Sequence, residues 1–236
     1  PYTYLAAVNN GVVFQGFSAA TGVELWFSGG TPATTGLLKD LNTLPGSSNS
    51  YPRDFVAFAG QIYFSAAYGD YATFDLRGDS ELWRTDGTLA GTVLIDTAST
   101  YHQSLTPAGN TLFFTGDSFD IWKSDGTAQG TQLVRNIRPA YPYQESLTLT
   151  PVGDMVFFPA DDGEHGRELW KSDGTEAGTV LVKDIRPGSS MPYYPGGISW
   201  KYGSYPREFT ASGDTLFFVA NSSGGSESQL WVSDGT

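Results

Sequence analysis

The chain has 236 residues, a formal net charge of −12 and no cysteine. The acidic balance argues against non-specific binding to nucleic acid or to an anionic membrane, both of which need a basic surface. Without cysteine there is no disulfide framework, no thiolate metal site and no cysteine nucleophile.

Five repeat units follow one another, at about residues 1–50, 51–100, 101–141, 142–190 and 205–236. The first opens with LAAVNNGVVF (Leu5–Phe14), continues with ELWFSGGT (Glu24–Thr31) and closes on GLLKDL (Gly36–Leu41). The second carries FVAFAGQIYF (Phe55–Phe64), ELWRTDGT (Glu81–Thr88) and GTVLID (Gly91–Asp96). The third has LTPAGNTLFF (Leu105–Phe114), DIWKSDGT (Asp120–Thr127) and GTQLVRNI (Gly130–Ile137). The fourth has LTPVGDMVFF (Leu149–Phe158), ELWKSDGT (Glu168–Thr175) and GTVLVKDI (Gly178–Ile185). The fifth has FTASGDTLFF (Phe209–Phe218) and QLWVSDGT (Gln229–Thr236), with no third block after it.

Each unit reads as four short strands, a to d. Strand a ends at a Gly turn, strand b is the apolar triplet, strand c is ELW-x-S and strand d is VLVKDI. The signals are runs of β-branched and aromatic residues bounded by Gly, Asp, Asn and Pro. No window has sustained helical spacing, so no helix is expected. The Asp-Gly after strand c predicts a hairpin joining c to d antiparallel. The continuous Phe-Phe of strand b predicts a strand covered on both faces.

Four-stranded units of this length, repeated, are the signature of a β-propeller. The expected fold is all-β: one domain over residues 1–236, a five-bladed propeller of four-stranded antiparallel blades whose last blade lacks its outer strand. That strand would come from a continuation of the chain or from elsewhere, so a larger ring stays open. No apolar run approaches the ~18 residues of a membrane span. The first residue is Pro1 rather than Met, which leaves room for a processed leader.

The blocks ELWKSDGT, GTVLVKDI and Arg186–Ser190 (RPGSS) resemble the ELW-x-x-DGT-x-x-GT-x-x-VKDI repeats of bacterial proteins, notably cyanobacterial and myxobacterial ones labelled hyalin-like. The resemblance covers nearly the whole chain and implies a propeller-type domain that is extracellular, at the cell surface or periplasmic. It implies no catalytic residues. The first copy departs from it, with Gly29-Gly30 for Asp-Gly, and the third opens on Asp120-Ile121.

Residues that recur in every unit read as structural: Trp26, Trp83, Trp122, Trp170 and Trp231 as wedges between blades, and Asp86, Asp125, Asp173 and Asp234 as turn formers. Function in a repeat protein concentrates in what does not repeat. Two insertions stand out. The first, Ala66–Ser80, carries Tyr68, Tyr71 and Phe74 and ends in an Arg-Gly-Asp-Ser tetrapeptide of the kind integrins recognise. The second, residues 187–206, carries Tyr193, Tyr194, Trp200, Tyr202 and Tyr205 among Pro and Gly. Such aromatics anchor a protein partner or stack on sugar rings.

Asp161, Asp162 and Glu164, beside His165, form the richest acidic loop and are the candidate ligands for calcium, the one cofactor the sequence suggests. The two histidines, His102 and His165, accompany no nucleophile elbow, phosphate loop or metalloprotease helix. The expected function is a non-catalytic binding or scaffolding module that contacts partner proteins through its non-repeated loops. The alternative is a lectin, dependent on calcium in one version. Neither nucleic-acid binding nor membrane insertion is expected.

Overall fold

The structure, a computed structural model, describes residues 4–43, 49–67, 80–96, 102–116, 120–137, 147–189, 201–223 and 227–236. Apart from one 3-10 turn at Pro32–Thr34, regular structure among these residues is all strand. Nineteen strands form five antiparallel sheets. Sheet 1 runs β1 (Leu5–Val8), β2 (Gly11–Ser18), β3 (Gly22–Ser28) and β4 (Thr35–Lys39). Sheet 2 runs β5 (Arg53–Phe58), β6 (Gln61–Ala67), β7 (Ser80–Thr85) and β8 (Val93–Asp96), and sheet 3 runs β9 (Gln103–Ala108), β10 (Thr111–Thr115), β11 (Asp120–Ser124) and β12 (Gln132–Asn136). Sheet 4 has β13 (Thr150–Val152), β14 (Met155–Asp161), β15 (Arg167–Ser172) and β16 (Val180–Lys183). Sheet 5 has three strands, β17 (Arg207–Ser212), β18 (Thr215–Ala220) and β19 (Gln229–Ser233). The element order is the one the repeats predict.

The chain separates into two compact units. One holds sheets 1 and 2 and part of sheet 3 (Pro1–Pro107, Phe114–Asp117, Ser124–Gln132); the other holds the rest (Ala108–Phe113, Ser118–Lys123, Leu133–Thr236).

The turns differ from expectation. The tight two-residue turns join a to b, pairing Phe58 with Gln61 and Val152 with Met155. Their first residue is left-handed, at Gly153 (φ 59°) and even at Ala59 (φ 49°), as hairpin turns that match strand twist require. The Asp-Gly loop between c and d is longer, seven residues from Asp173 to Thr179 in sheet 4. There Asp173 Oδ1 accepts the Thr175 amide (2.8 Å) and hydroxyl (2.7 Å), and Gly174 takes φ 83°. At the far end the Ser172 and Thr179 hydroxyls meet at 2.7 Å. The same hydroxyl pair closes sheets 1, 2 and 3 (Ser28–Thr35, Thr85–Thr92, Ser124–Thr131). The carboxylates that accept Thr hydroxyl and amide protons, Asp86, Asp125, Asp173 and Asp234, are held below the usual carboxylate range.

Strand b is the core. Phe113, Phe114, Phe157 and Phe158 are all fully buried, each contributing about 2–3 kcal/mol. Three of the five tryptophans pack into the core with residues of the preceding sheet: Trp83 with Val8, Val13 and Leu25 of sheet 1, Trp170 with Phe113 and Ile121 of sheet 3, and Trp231 with Phe157 and Leu169 of sheet 4.

In sheets 2, 3 and 4 the residue after the Trp links one sheet to the next. Arg84 donates to the Gly126 carbonyl (3.3 Å), Lys123 to that of Gly174 (2.7 Å) and Lys171 to that of Gly235. A second set comes from strand d. Lys39 lies over the Trp83 ring, Arg135 over Trp170 and Lys183 over Trp231, with cations 5.2, 5.6 and 5.9 Å from the ring centroids. Cation–π contacts of this kind contribute about 0.5–1 kcal/mol at exposed sites.

Candidate functional site

The acid heading strand c governs where the loops sit. Glu168 is fully buried. Its carboxylate accepts the amides of Ile185 (3.1 Å), Arg186 (3.3 Å) and Ser204 (2.8 Å), and the Ser204 hydroxyl as well. Glu24 does the same in sheet 1, accepting the Leu41 amide (2.8 Å) and the Ser50 hydroxyl (2.6 Å). Burial raises both acids' pKa, and the donated hydrogen bonds oppose that rise. Each glutamate therefore ties the end of strand d to the segment entering the next sheet.

The tethered segments share a sequence: Ser50-Tyr51-Pro52-Arg53-Asp54-Phe55 and Ser204-Tyr205-Pro206-Arg207-Glu208-Phe209. In both, the Tyr and the acid adopt left-handed backbone: Tyr51 φ 46° and Asp54 φ 59°, Tyr205 φ 50° and Glu208 φ 56°. Non-glycine residues rarely do so, and such strain concentrates at functional positions. The pairing register shifts at the same place, between Arg53 and Val56 and between Arg207 and Thr210, which marks a β-bulge that re-aims these side chains. The backbone is clamped on both sides. Ser50 donates its amide to Val23 and accepts that of Ala67; Tyr205 donates its amide to Arg167, and Ser204 accepts that of Asn221.

The rings so positioned point outward, Tyr51 at 37% and Tyr205 at 54% exposure. Tyr202 is 37% exposed, with the Arg186 guanidinium 4.6 Å from its ring centroid. Asp54 is the electrostatic outlier: burial pushes its carboxyl up to about 6, against the pull of the neighbouring Arg53 charge. Its Oδ2 is buried and accepts no hydrogen bond among the described residues.

Of the residues singled out in the sequence, Tyr202 and Tyr205 thus share one buttressed segment. Tyr68, Tyr71, Phe74, Tyr193, Tyr194 and Trp200, and the Arg-Gly-Asp of the tetrapeptide, lie outside the described residues. The Ser-Tyr-Pro-Arg-acid repeat corrects the expectation that residues 187–206 are wholly unrepeated. Its signal was plain identity with 50–53.

The acidic loop is locally self-satisfied. Asp161 Oδ1 accepts the Gly163 amide (2.8 Å), and Asp162 Oδ1 accepts those of Glu164 and His165 (2.9 Å each). Asp162 Oδ2 pairs with His165 Nδ1 at 2.8 Å. Burial works to raise the Asp162 pKa, but these donors outweigh it and lower it; the same pair raises that of His165. Among the described residues no three His, Asp or Glu side chains converge as a metal-holding group.

Among the described residues a Ser, a His and an Asp do meet, at Ser80, His102 and Asp96. His102 Nδ1 contacts the Ser80 carbonyl, its amide donates to the Ser80 hydroxyl (2.7 Å), and Nε2 lies 3.3 Å from Asp96 Oδ2. A nucleophilic triad needs the imidazole on the serine hydroxyl. Here it sits on the carbonyl, with His102 and Ser80 both buried. The trio is a structural tie built on Ser80, one residue before Glu81, the sheet 2 counterpart of Glu24 and Glu168. No described helix is long and apolar enough to cross a membrane.

No protein-family model matches the chain, and no curated protein matches it. Solved structures match it in fold. A puromycin hydrolase aligns with a TM-score of 0.50 and 14% identity, over 92% of this chain and 35% of that one. A mutant of that hydrolase complexed with PGG gives 0.50 and 14%, over 93% and 36%. The computationally designed Ika8 protein gives 0.46 and 16%, over 100% and 62%. The hydrolase alignments are to propeller structures. The chain spans less than two thirds of the length of each. At 14% identity the likeness to the hydrolase structures is one of fold, and fold alone does not decide catalysis.

Proposed function

We propose that this chain is a five-bladed propeller of the ELW-x-x-DGT repeat type that acts outside the cytoplasm as a non-catalytic binding and scaffolding module, holding a protein partner on its aromatic loops. The observation that carries this reading is the Glu168–Ser204 tether. It holds Tyr205 and Tyr202 exposed on a segment clamped to β15, with Arg186 against the Tyr202 ring. Rigid, outward aromatics beside an arginine are the composition of protein-binding hot spots, because their ordering cost has been met before the partner arrives. The five sheets, four of them four-stranded, support the blade count.

The test is a double variant, Tyr202→Ala with Tyr205→Ala, compared with the parent chain for capture of partner proteins and on a glycan array with and without chelator. Loss of a protein partner at unchanged thermal stability supports the reading. Glycan binding that disappears in the variant and ignores chelator replaces the protein partner with a sugar. Chelator-sensitive glycan binding would bring Asp161, Asp162 and Glu164 forward as calcium ligands.

A further inference from the structure

Sheets 1 and 4 anchor their loops with the same glutamate, yet the two carboxylates are satisfied differently. Glu168 accepts on both oxygens. Its Oε1 takes the amides of Arg186 and Ser204, and its Oε2 takes the Ile185 amide and the Ser204 hydroxyl. Glu24 accepts on one. Its Oε2 holds the Leu41 amide and the Ser50 hydroxyl, while Oε1 is buried and meets no hydrogen-bond partner among the described residues. The Ser50 amide, whose counterpart at Ser204 serves Glu168 Oε1, goes instead to the Val23 carbonyl (2.8 Å). Glu24 is fully buried, so bulk solvent does not reach that oxygen.

A second orphan faces it. Leu25 pairs Lys39 across β3 and β4, and one step along that ladder sets Glu24 opposite Asp40, on the same side of the sheet. Facing Cβ atoms in such a pair lie about 5 Å apart. Asp40 Oδ1 is also buried and without a hydrogen bond among the described residues. Two carboxylates so placed resist ionising together, because each raises the cost of the other's charge. Burial raises the Glu24 pKa, the Ser50 and Leu41 donors oppose that rise, and the Asp40 charge adds to it. The other groups around Glu24 offer no cation. β2 sets Gly16 opposite it, and Leu41, Asn42, Asn49 and Ser50 carry no charge. Lys39 sends its ammonium to the Thr92 carbonyl and over the Trp83 ring. In sheet 4 Asp184 Oδ1 is orphaned likewise, but Glu168 has no free oxygen to meet it.

We infer that Glu24 and Asp40 form a proton-binding site, in which a proton on Glu24 Oε1 is donated to Asp40 Oδ1. That single hydrogen bond satisfies both orphan oxygens and leaves Glu24 Oε2 as the acceptor the loop needs. Calcium fits less well, since it takes six or more oxygens and no three His, Asp or Glu side chains converge among the described residues. The proton ties the order of the sheet 1 loop to pH. As pH rises above the ordinary glutamate value of 4.5 and through the higher folded one, its loss sets two negative charges on facing strands. Stability falls through that window, and Ser50 and Tyr51, held on the Val23 carbonyl, loosen. The sheet 4 tether, accepting on both oxygens, needs no proton. The inference does not depend on what Tyr202 and Tyr205 bind.

The experiment makes the same substitution at both glutamates of the full chain. Glu24→Gln supplies a permanent N–H toward Asp40 Oδ1 and keeps an acceptor for Leu41 and Ser50. Glu168→Gln sets an N–H against the amides of Arg186 and Ser204. In urea, Glu24→Gln should match the parent midpoint at pH 5 and exceed it at pH 8, and Asp40→Asn should do the same. Glu168→Gln should lie below the parent at both. Hydrogen exchange of the Ser50 and Tyr51 amides, corrected for intrinsic rates, should report opening in the parent that grows up to about tenfold per pH unit, the effect of one released proton. That slope should vanish in Glu24→Gln. A Glu24→Gln variant with no pH-dependent gain, or one that falls below the parent at both pH values, overturns the inference. So does a parent that calcium stabilises at pH 8 with the gain lost in Glu24→Gln, which would put a cation between the carboxylates.

Discussion

Thr34 takes the place of a carboxylate that Gly29 lacks. In sheets 2, 3 and 4 an Asp accepts the amide and hydroxyl of the Thr two residues on. The Gly five residues after that Asp is obligatory: a Cβ on Gly91, Gly130 or Gly178 would meet the carboxylate oxygen at 2.0–2.1 Å. Sheet 1 reverses the arrangement. The Asp position is Gly29, the Gly position is Thr34, and Thr34 Oγ1 receives the Thr31 amide (3.2 Å) and contacts its hydroxyl (2.9 Å). A Cβ on Gly29 would meet that Oγ1 at 2.9 Å. One oxygen fills one site, supplied from either end of the loop.

The swap predicts a strong coupling. Gly29→Asp alone crowds the Thr34 hydroxyl and Thr34→Gly alone empties the site, each costing about 1–2 kcal/mol. The two together rebuild the loop of the other sheets and should cost less than either. A double-mutant cycle in urea measures this. Additive effects would contradict the account.

Glu168 predicts a larger loss. Glu168→Ala strands the buried amides of Ile185 and Ser204 and should destabilise the fold by about 2–4 kcal/mol. Glu168→Gln keeps one acceptor oxygen and should cost roughly half as much. Urea midpoints for the two variants check the order, and an alanine variant within about 0.5 kcal/mol of the parent, a typical surface effect, would show that the tether is not structural.

Asp54 predicts a pH dependence of unusual sign. Its folded pKa, about 6, is raised above the ordinary aspartate value of 3.8. Between those values the folded state holds the proton that the unfolded state releases. Stability therefore falls as pH rises through that window, and the penalty is complete above pH ~6. Asp54→Asn removes the charge, and asparagine tolerates the left-handed backbone there. The variant should gain on the order of 1–2 kcal/mol at pH 7.5, after allowance for partial exposure, and nothing near pH 4. Equal gains at both pH values would assign the effect to the backbone instead.

The strand order, the doubly covered Phe-Phe strands of sheets 3 and 4 and the wedges of Trp83, Trp170 and Trp231 were legible because each depends on a repeated local pattern, although in sheet 5 Phe217 is 38% exposed. The turn chemistry was half legible. Asp-Gly does place a left-handed glycine, as at Gly174, but the following Thr makes the Asp a cap for a longer loop rather than a hairpin. Two features were invisible for a physical reason. Glu24 and Glu168 look like surface charges in sequence, and only the fold shows donors 17 residues and more downstream closing on them. Arg84, Lys123 and Lys171 occupy a position that varies in type, yet their joints are made by length and charge rather than identity.

The measurement that tests the proposed function most directly is a paired capture experiment, with the parent chain and the Tyr202→Ala, Tyr205→Ala variant as baits and quantitative mass spectrometry as readout. The account predicts a protein enriched on the parent and lost from the variant, with both baits melting at the same temperature. The same proteins on both baits, beside a glycan array bound by the parent alone, would contradict it.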